Sequence, residues 1–177
     1  MDEMNSLNPS GRRQVFATTT TKNDPATLAA AYAFYNEAIA SLNKVSVKGL
    51  VWTLVMQPLL PDWVRKGDKN PLGVHDIDEP LVIVSFTVNW DEAQNDEFVK
   101  STTKKTLENI EAFAVANKTS HRYRYVNYCA EWQKPFEGYG KENLEFLRDV
   151  SRKYDPEGLF QKGCVGGFKL ELEVGKG

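Results

Sequence analysis

Residues 81–90 alternate between apolar and polar side chains, and this alternation constrains the fold more than any other feature of the sequence. Successive side chains of a strand face opposite sides of a sheet. The even positions carry only large apolar side chains, namely Val82, Val84, Phe86, Val88 and Trp90. The odd positions from 83 to 89 carry Ile, Ser, Thr and Asn. The segment therefore predicts a sheet with one apolar face, packed against helices, and one mixed face.

The surrounding segments predict the order β-α-β-β-α-β. The strands are expected at residues 14–21, 50–58, 81–90 and 123–128. The first helix begins after Asp24, a predicted N-cap followed by Pro25, and the second covers residues 91–117. This order is typical of a split βαβ unit, an α+β fold of ferredoxin-like type in which an antiparallel sheet carries both helices on one face.

The C-terminal region predicts a further helix at residues 141–153, with Leu144, Leu147 and Val150 on its inner side. Asp155 and Pro156 end it, and a turn at residue 158 would let the next two side chains dock. We expect three parts: an extension at residues 1–13, a substrate-type α+β domain at 14–128 and a C-terminal segment at 129–177.

Charge and composition narrow the possible partners. The 177 residues carry 22 basic and 24 acidic side chains, a net charge of -2, with no basic tract that would hold nucleic acid or an anionic membrane. The longest apolar runs are too short to span a bilayer, and the first eleven residues do not resemble a signal peptide. We expect a soluble, cytoplasmic protein whose two cysteines are free thiols, without a metal site.

The mixed sheet face suggests a floor for a polar small-molecule pocket. It would be lined by hydroxyl and amide side chains, namely Thr18, Thr53, Gln57, Ser85 and Thr87. The alternative interpretation is a face that is simply exposed to solvent.

Several motifs carry a resemblance to a known family. Residues 125–128 read YVNY, residues 136–143 read FEGYGKEN and residues 154–160 read YDPEGLF. Residues 11–18 (GRRQVFAT), 22–25 (KNDP) and 57–58 (QP) extend the match over nearly the whole chain. Together they resemble the substrate domain and C-terminal segment of berberine-bridge-enzyme-like FAD-linked oxidoreductases. The FAD-binding half of that family has no counterpart here, so we do not expect this chain alone to bind FAD.

The resemblance also implies roles for single residues. Asn127 matches an asparagine that contacts the flavin ring, and Tyr128 matches a tyrosine that removes a proton from the substrate hydroxyl. A phenol is a weak base until its pKa of about 10 is lowered, and Arg124, on the same predicted strand face, would favour the phenolate. The alternative is that Tyr128 is a packed strand tyrosine.

The two histidines are weaker candidates. His75 lies in a long loop from which it could reach a pocket and transfer protons, whereas His121 precedes the fourth strand and is expected in an exposed loop. A solvated or structural role is the alternative for both.

Three functions are compatible with these features. The chain is the substrate-binding portion of an FAD-linked oxidoreductase, or a flavin-free isomerase, cyclase or dehydratase that uses Tyr128, Arg124 or His75, or a non-catalytic binding subunit. Expected partners are a small-molecule substrate and either a second copy or a separate flavin domain. Apolar side chains of the C-terminal region would form that contact, namely Phe136, Tyr139, Phe160 and Phe168.

Overall fold

A computed structural model describes residues 11–67 and 70–170 and has the predicted α+β architecture. Residues 1–10 of the predicted extension and residues 171–177 of the predicted C-terminal segment lie outside the described residues. The strands are β1 (Arg13–Lys22), β2 (Val51–Leu59), β3 (Leu81–Trp90) and β4 (Ser120–His121). The helices are α1 (Pro25–Val45), the short α2 (Pro61–Val64), α3 (Asp96–Ala116) and α4 (Lys141–Tyr154).

The four described strands form one antiparallel sheet in the order β2-β3-β1-β4. Thr18 of β1 lies opposite Ser85 of β3, and Trp52 of β2 lies opposite Val88. This strand order is that of the split βαβ unit, so the predicted fold class is confirmed.

One sheet face holds the main core, as the alternation of β3 predicts. The even residues of β3 are buried beneath α1 and α3, together with Trp52, whose ring meets that of Phe86 edge-on at 5.2 Å. Asp24 caps α1, because its carboxylate accepts a hydrogen bond from the main-chain N–H of Thr27 at 2.8 Å.

The opposite sheet face is covered in part by loops. Leu81 and Ile83 pack there in a second core with four side chains from residues 74–77 and 123–139, namely Val74, Ile77, Tyr123 and Tyr139. The mixed face of the sheet is therefore mostly interior around β1 and β3, and it is open along β2.

The predicted fourth strand at residues 123–128 is wrong. Strand β4 ends at His121, and residues 126–128 form a 3₁₀ turn. The edge of β1 beyond β4 is instead occupied by the side chain of Gln133, which accepts from the Thr18 N–H at 3.1 Å and donates to the Thr18 carbonyl at 2.7 Å. A side-chain amide thus supplies the two hydrogen bonds that a longer fourth strand would have made.

Helix α4 forms where it was predicted, but only Leu144 and Leu147 of its apolar side chains are half-buried, while Val150 is exposed. The turn after it is held by Asp155, whose carboxylate accepts from the N–H groups of residues 159 and 160. Leu159 and Phe160 do not dock as predicted, and Phe160 is 63% exposed.

Candidate functional site

Phe16, Tyr125 and Tyr128 form an aromatic cluster on the mixed face of the sheet. The rings of Phe16 and Tyr128 are stacked, with centroids 5.9 Å apart and an interplanar angle of 11°, and the ring of Tyr125 meets that of Tyr128 edge-on at 4.8 Å. Asn127 is exposed beside them and donates through Nδ2 to the Tyr125 hydroxyl at 3.0 Å. The cluster combines half-buried ring surface with an amide, a combination suited to a flat, partly polar ligand.

Arg124 is engaged elsewhere. Its guanidinium forms an ion pair with Glu111 at 2.7 Å and donates to the carbonyls of His121 and Tyr123. Because residues 123–128 are not a strand, the alternation that placed Arg124 beside Tyr128 does not apply. Within the described residues, no hydrogen bond or ion pair joins the two side chains.

The five predicted pocket residues are not brought together. Thr18 and Ser85 are buried, and their hydroxyl oxygens are 3.0 Å apart. Thr53 and Gln57 are exposed on β2; the half-buried Thr87 lies between Thr53 and Phe16, whereas Gln57 lies opposite Ile83. Thr18 and Ser85 therefore belong to the interior, and of the five predicted residues only those on the β2 side of this face can meet a ligand directly.

A second polar site is a cleft of about 340 Å³ that contains both histidines; we call it the histidine cleft. The loop before β3 contributes His75, and β4 contributes His121, 46 positions later. Leu81 and Ile77 also line it, and the remaining lining is polar or glycine: Asn70, Gly73, Asp76, Asp78, Glu79, Arg122, Glu142 and Asn143. The sequence predicted that His75 could reach a pocket, but it did not predict that His121 would line the same pocket.

His121 is half-buried, not an exposed loop residue as predicted. Its Nδ1 accepts a hydrogen bond from the Tyr123 N–H at 3.2 Å, so the neutral ring carries its proton on Nε2. Burial, and then the nearby charges of Arg122 and Arg124, lower the pKa of His121 below its ordinary value of 6.5. The ring is therefore neutral at physiological pH and can donate a hydrogen bond.

The segment at residues 136–143 builds one wall of the cleft. Gly138 packs against the main chain of Arg122, and Gly140, with φ of 90°, lies beneath the Arg122 guanidinium. Tyr139 is buried against Tyr123, so it cannot form the partner contact predicted for it, and Asn143 donates to its carbonyl at 2.9 Å. The motif thus has a structural role in this chain.

These contacts also bear on cofactor binding. The space around Gly138 and Gly140 is filled by Arg122, so these glycines do not offer a diphosphate cradle. Within the described residues, the aromatic cluster offers ring surface of the kind on which a flat ring system stacks. In residues 11–67 and 70–170 no group of three or more His, Cys, Asp or Glu side chains is arranged to hold a metal ion. None of the described helices has the length and hydropathy needed to cross a membrane.

Sequence reasoning expected His121 in an exposed loop and missed Arg122 and Gln133. His121 is the last residue of the short β4 and Arg122 follows it, so a polar pair at a strand end was a usable signal for a site. Gln133 carried no such signal, because a lone glutamine in a loop is most often solvated.

No protein-family model matches the chain. It is similar to the FAD-dependent monooxygenase tpcD of Cochliobolus heterostrophus, with 35% identity over 96% of this chain and 34% of that protein. The FAD-dependent monooxygenase sdcF of Emericella nidulans is 33% identical over 92% of this chain and 35% of that protein. The FAD-dependent monooxygenase FUP4 of Fusarium proliferatum is 33% identical over 96% of this chain and 34% of that protein. The chain thus spans about a third of the length of these relatives and is homologous to one part of a flavoenzyme.

Proposed function

We propose that the chain forms the substrate-side portion of a berberine-bridge-enzyme-like, FAD-linked oxidation enzyme that acts on a secondary metabolite. The observation that carries this proposal is the similarity of more than nine-tenths of the chain to about a third of each of several proteins named FAD-dependent monooxygenases. The antiparallel sheet with helices on one face is consistent with the active-site roof that the motifs imply.

The aromatic cluster is the proposed contact with both flavin and substrate. Asn127 is exposed and Tyr128 is half-buried, so both can be reached from outside the chain. A bound flavin would supply the electron transfer that protein side chains cannot perform. Asn127 would orient its ring, and Tyr128, in its phenolate form, would take the proton of the substrate hydroxyl.

The open side of the mixed face is the proposed substrate surface. Thr53 and Gln57 offer hydrogen bonds along β2, and Thr87 lies between Thr53 and Phe16 of the aromatic cluster. Thr18 and Ser85 lie buried on the same face, and their mutual hydrogen bond joins β1 to β3 beside this surface.

The flavin would be held by a separate portion of the enzyme, packed on the apolar surface of the C-terminal region. Tyr154 and Phe160 are 72% and 63% exposed, and Phe146 and Leu159 are exposed on the same helix and turn. An apolar surface of this kind is typical of a protein–protein contact. We propose that it packs against the flavin-binding portion.

A chimera tests the proposal. The aligned third of the Cochliobolus heterostrophus monooxygenase is replaced by this chain, and flavin absorbance and oxygen consumption with the parental substrate are measured. We expect a flavin-containing, active chimera. Tyr128→Phe should lower its turnover about a hundredfold without loss of flavin, because the acid–base group is removed. Tyr32→Phe, an exposed tyrosine on α1, is the matched control and should leave turnover unchanged.

Two outcomes would contradict the proposal. One is a folded chimera that binds flavin but shows no turnover. The other is flavin absorbance from the isolated chain, which would mean that residues of this chain hold the whole cofactor.

The histidine cleft favours a second candidate, a flavin-free isomerase, cyclase or dehydratase. It places the predicted proton-transfer residue His75 in one cavity with the neutral ring of His121. Turnover of an enolisable substrate by the isolated chain, lost in His75→Ala and kept in Tyr128→Phe, would support this function over the first.

A further inference from the structure

Strand β2 lies at one edge of the sheet, and the direction of its main-chain groups follows from the other strands. Thr18 of β1 bonds through both its N–H and its carbonyl to Gln133, on the side away from β3. Because successive residues of a strand direct these groups to opposite sides, the odd-numbered residues of β1 bond to β3. They lie opposite even-numbered residues of β3, so the odd-numbered residues of β3 bond to β2. Odd-numbered residues of β2 lie opposite these, and the even-numbered residues of β2 therefore point outward.

The outward-facing residues of β2 are Trp52, Leu54, Met56 and Pro58. Pro58 fits this direction, because a proline has no N–H and is tolerated in a sheet where that group would face solvent. Trp52 fits it as well, because its carbonyl accepts a hydrogen bond from the Tyr35 hydroxyl at 2.7 Å. Within residues 11–67 and 70–170, no hydrogen bond is found at the outward main-chain groups of Leu54 and Met56.

Strand β2 lacks the charged side chains with which soluble proteins usually protect a sheet edge. Val55 and Met56 are 37% and 36% exposed. On the helix side, an open hollow of about 610 Å³ borders the strand and is lined by aromatic and apolar side chains, among them Tyr32, Leu54 and Met56. An uncharged edge strand of nine residues that carries exposed apolar side chains is typical of a strand that pairs with another strand.

We propose that this edge pairs with the same edge of a second copy of the chain, in an antiparallel register centred on Val55. In that register Leu54 of each copy exchanges main-chain hydrogen bonds with Met56 of the other, which satisfies the outward groups of both residues. Their apolar side chains lie next to each other on the helix side of the joined sheet. On the mixed face, Thr53 lies opposite Gln57 of the second copy, which is a polar pair.

The two ends of this edge are complementary to each other, which favours an identical strand as the partner. In the proposed register the Trp52 N–H donates to the Pro58 carbonyl of the second copy. Pro58 has no N–H to return, so the Trp52 carbonyl is the one outward acceptor without a main-chain donor. That carbonyl is the one to which the Tyr35 hydroxyl donates. A strand with an ordinary residue in place of Pro58 would direct its N–H at a carbonyl that is already bonded.

The two neighbouring registers fit less well. One centred on Leu54 would direct the Met56 N–H of the second copy at the occupied carbonyl of Trp52. One centred on Met56 would place Leu54 opposite Pro58 and leave the Leu54 carbonyl without a donor. Val55 is therefore the expected position of the two-fold axis, where its side chain meets its own counterpart.

The pairing goes beyond the proposed oxidation function and does not rest on it, because it uses the main chain of β2. Dimer formation by the chain and turnover by the chimera are separate outcomes. The pairing has one consequence that does rest on the proposed function: Gln57 of the second copy would border the proposed substrate surface beside Thr53.

Analytical ultracentrifugation of the 177-residue chain tests the pairing, with circular dichroism to check the folding of each variant. We expect a concentration-dependent dimer with twice the 20.0 kDa mass of one chain. Val55→Lys should raise the dissociation constant about tenfold, because it places two like charges directly opposite each other. Met56→Pro should also raise it, because it removes an outward N–H and leaves the bonds between β2 and β3 intact.

Phe160→Ser is the matched control, because it removes an exposed apolar side chain from the C-terminal region. It should leave the dissociation constant unchanged. A wild-type chain that stays monomeric at every concentration would overturn the proposal. A dimer that Phe160→Ser dissociates and Val55→Lys preserves would also overturn it, since the contact would then lie in the C-terminal region.

Disulfide formation tests the register in the Cys164→Ser background, which lacks the exposed thiol. The two α-carbons at position 55 would be about 4.5 Å apart, which is within the range of a disulfide. Val55→Cys should therefore form a covalent dimer on mild oxidation. The two α-carbons at position 53 would be separated by about 13 Å along the strands, so Thr53→Cys should not cross-link. Equal cross-linking of the two variants, or none in Val55→Cys, would contradict the proposed pairing.

Discussion

The α-carbon of Gly138 faces the main-chain carbonyl of Arg122, and a β-carbon at Gly138 would lie 2.3 Å from that oxygen. The α-carbon and the carbonyl oxygen both belong to the main chain, so neither can move away as the end of a flexible side chain would. The next glycine of the same motif, Gly140, lies beneath the Arg122 guanidinium. The absence of side chains at these two positions therefore allows residues 135–140 to pack on Arg122, just before Glu142 and Asn143, which line the histidine cleft.

Gly138→Ala should destabilise the chain by about 3 kcal/mol, because the added methyl group forces two main-chain segments apart. The free energy of unfolding in urea measures this. Gly67→Ala is the matched control, because a β-carbon there meets nothing within 4 Å, and it should be neutral or slightly stabilising. Equal stability of the two variants would mean that residue 138 does not pack on Arg122.

Gln133→Ala should cost about 2–3 kcal/mol, since it removes the hydrogen bonds to Thr18 and leaves part of the β1 edge unpaired. The Gln133 side chain also accepts from the N–H of Ala130 at 3.0 Å, so its own loop loses support. Amide hydrogen exchange at Thr18 should become faster in the variant. Gln94→Ala removes an exposed glutamine that bonds only to Glu92, and it should change neither quantity. Unchanged exchange at Thr18 in Gln133→Ala would contradict this pairing.

The sequence was most informative where a pattern repeats. The alternation of β3 predicted which side chains enter the main core, and Asp24 with Pro25 fixed the start of α1 to the residue. Both signals are local, because strand alternation and helix capping depend on neighbours within a few positions.

The errors arose where contacts distant in sequence decide the structure. Residues 123–128 have the composition of a strand, yet the edge they would occupy is held by Gln133, and they leave the sheet to pack Tyr128 on Phe16. Likewise, His75 and His121 line the same cleft only because the loop before β3 lies next to the end of β4. No local pattern encodes either arrangement, since each depends on a partner 46 or more positions away.

The low pKa of His121 predicts a specific pH dependence of stability. In the unfolded chain this side chain titrates near 6.5, whereas in the folded chain burial and two arginines keep it neutral to lower pH. As the pH falls below about 6.5, the unfolded state binds a proton that the folded state does not, so stability decreases. Above pH 6.5, His121 makes no pH-dependent contribution to the free energy of unfolding.

His121→Gln should therefore flatten the loss of unfolding free energy between pH 7.5 and pH 5 relative to the wild type. Titration of the two histidine ring signals by NMR checks the cause, with His75→Gln used to assign them. A folded-state pKa of 6.5 or above for His121 would contradict the burial of this ring.

The two cysteines should differ sharply in reactivity. Cys129 and Cys164 are both free, as predicted, but burial raises the pKa of the Cys129 thiol to about 12, whereas Cys164 is exposed. Since the thiolate is the reactive form, about one part in ten thousand of Cys129 is reactive at pH 8. A thiol reagent such as DTNB should therefore modify one thiol per chain rapidly and the second only in denaturant.

Cys164→Ser should abolish the rapid phase, and Cys129→Ser should preserve it. The slow thiol also reports on the candidate site, because Cys129 directly follows Tyr128 and its Sγ lies 3.4 Å from the Tyr125 carbonyl. If residues 125–129 detached from the sheet, Cys129 would become exposed and react as Cys164 does. Rapid modification of both thiols in the native chain would therefore contradict the packing of Tyr128 on Phe16, and with it the position of the aromatic cluster.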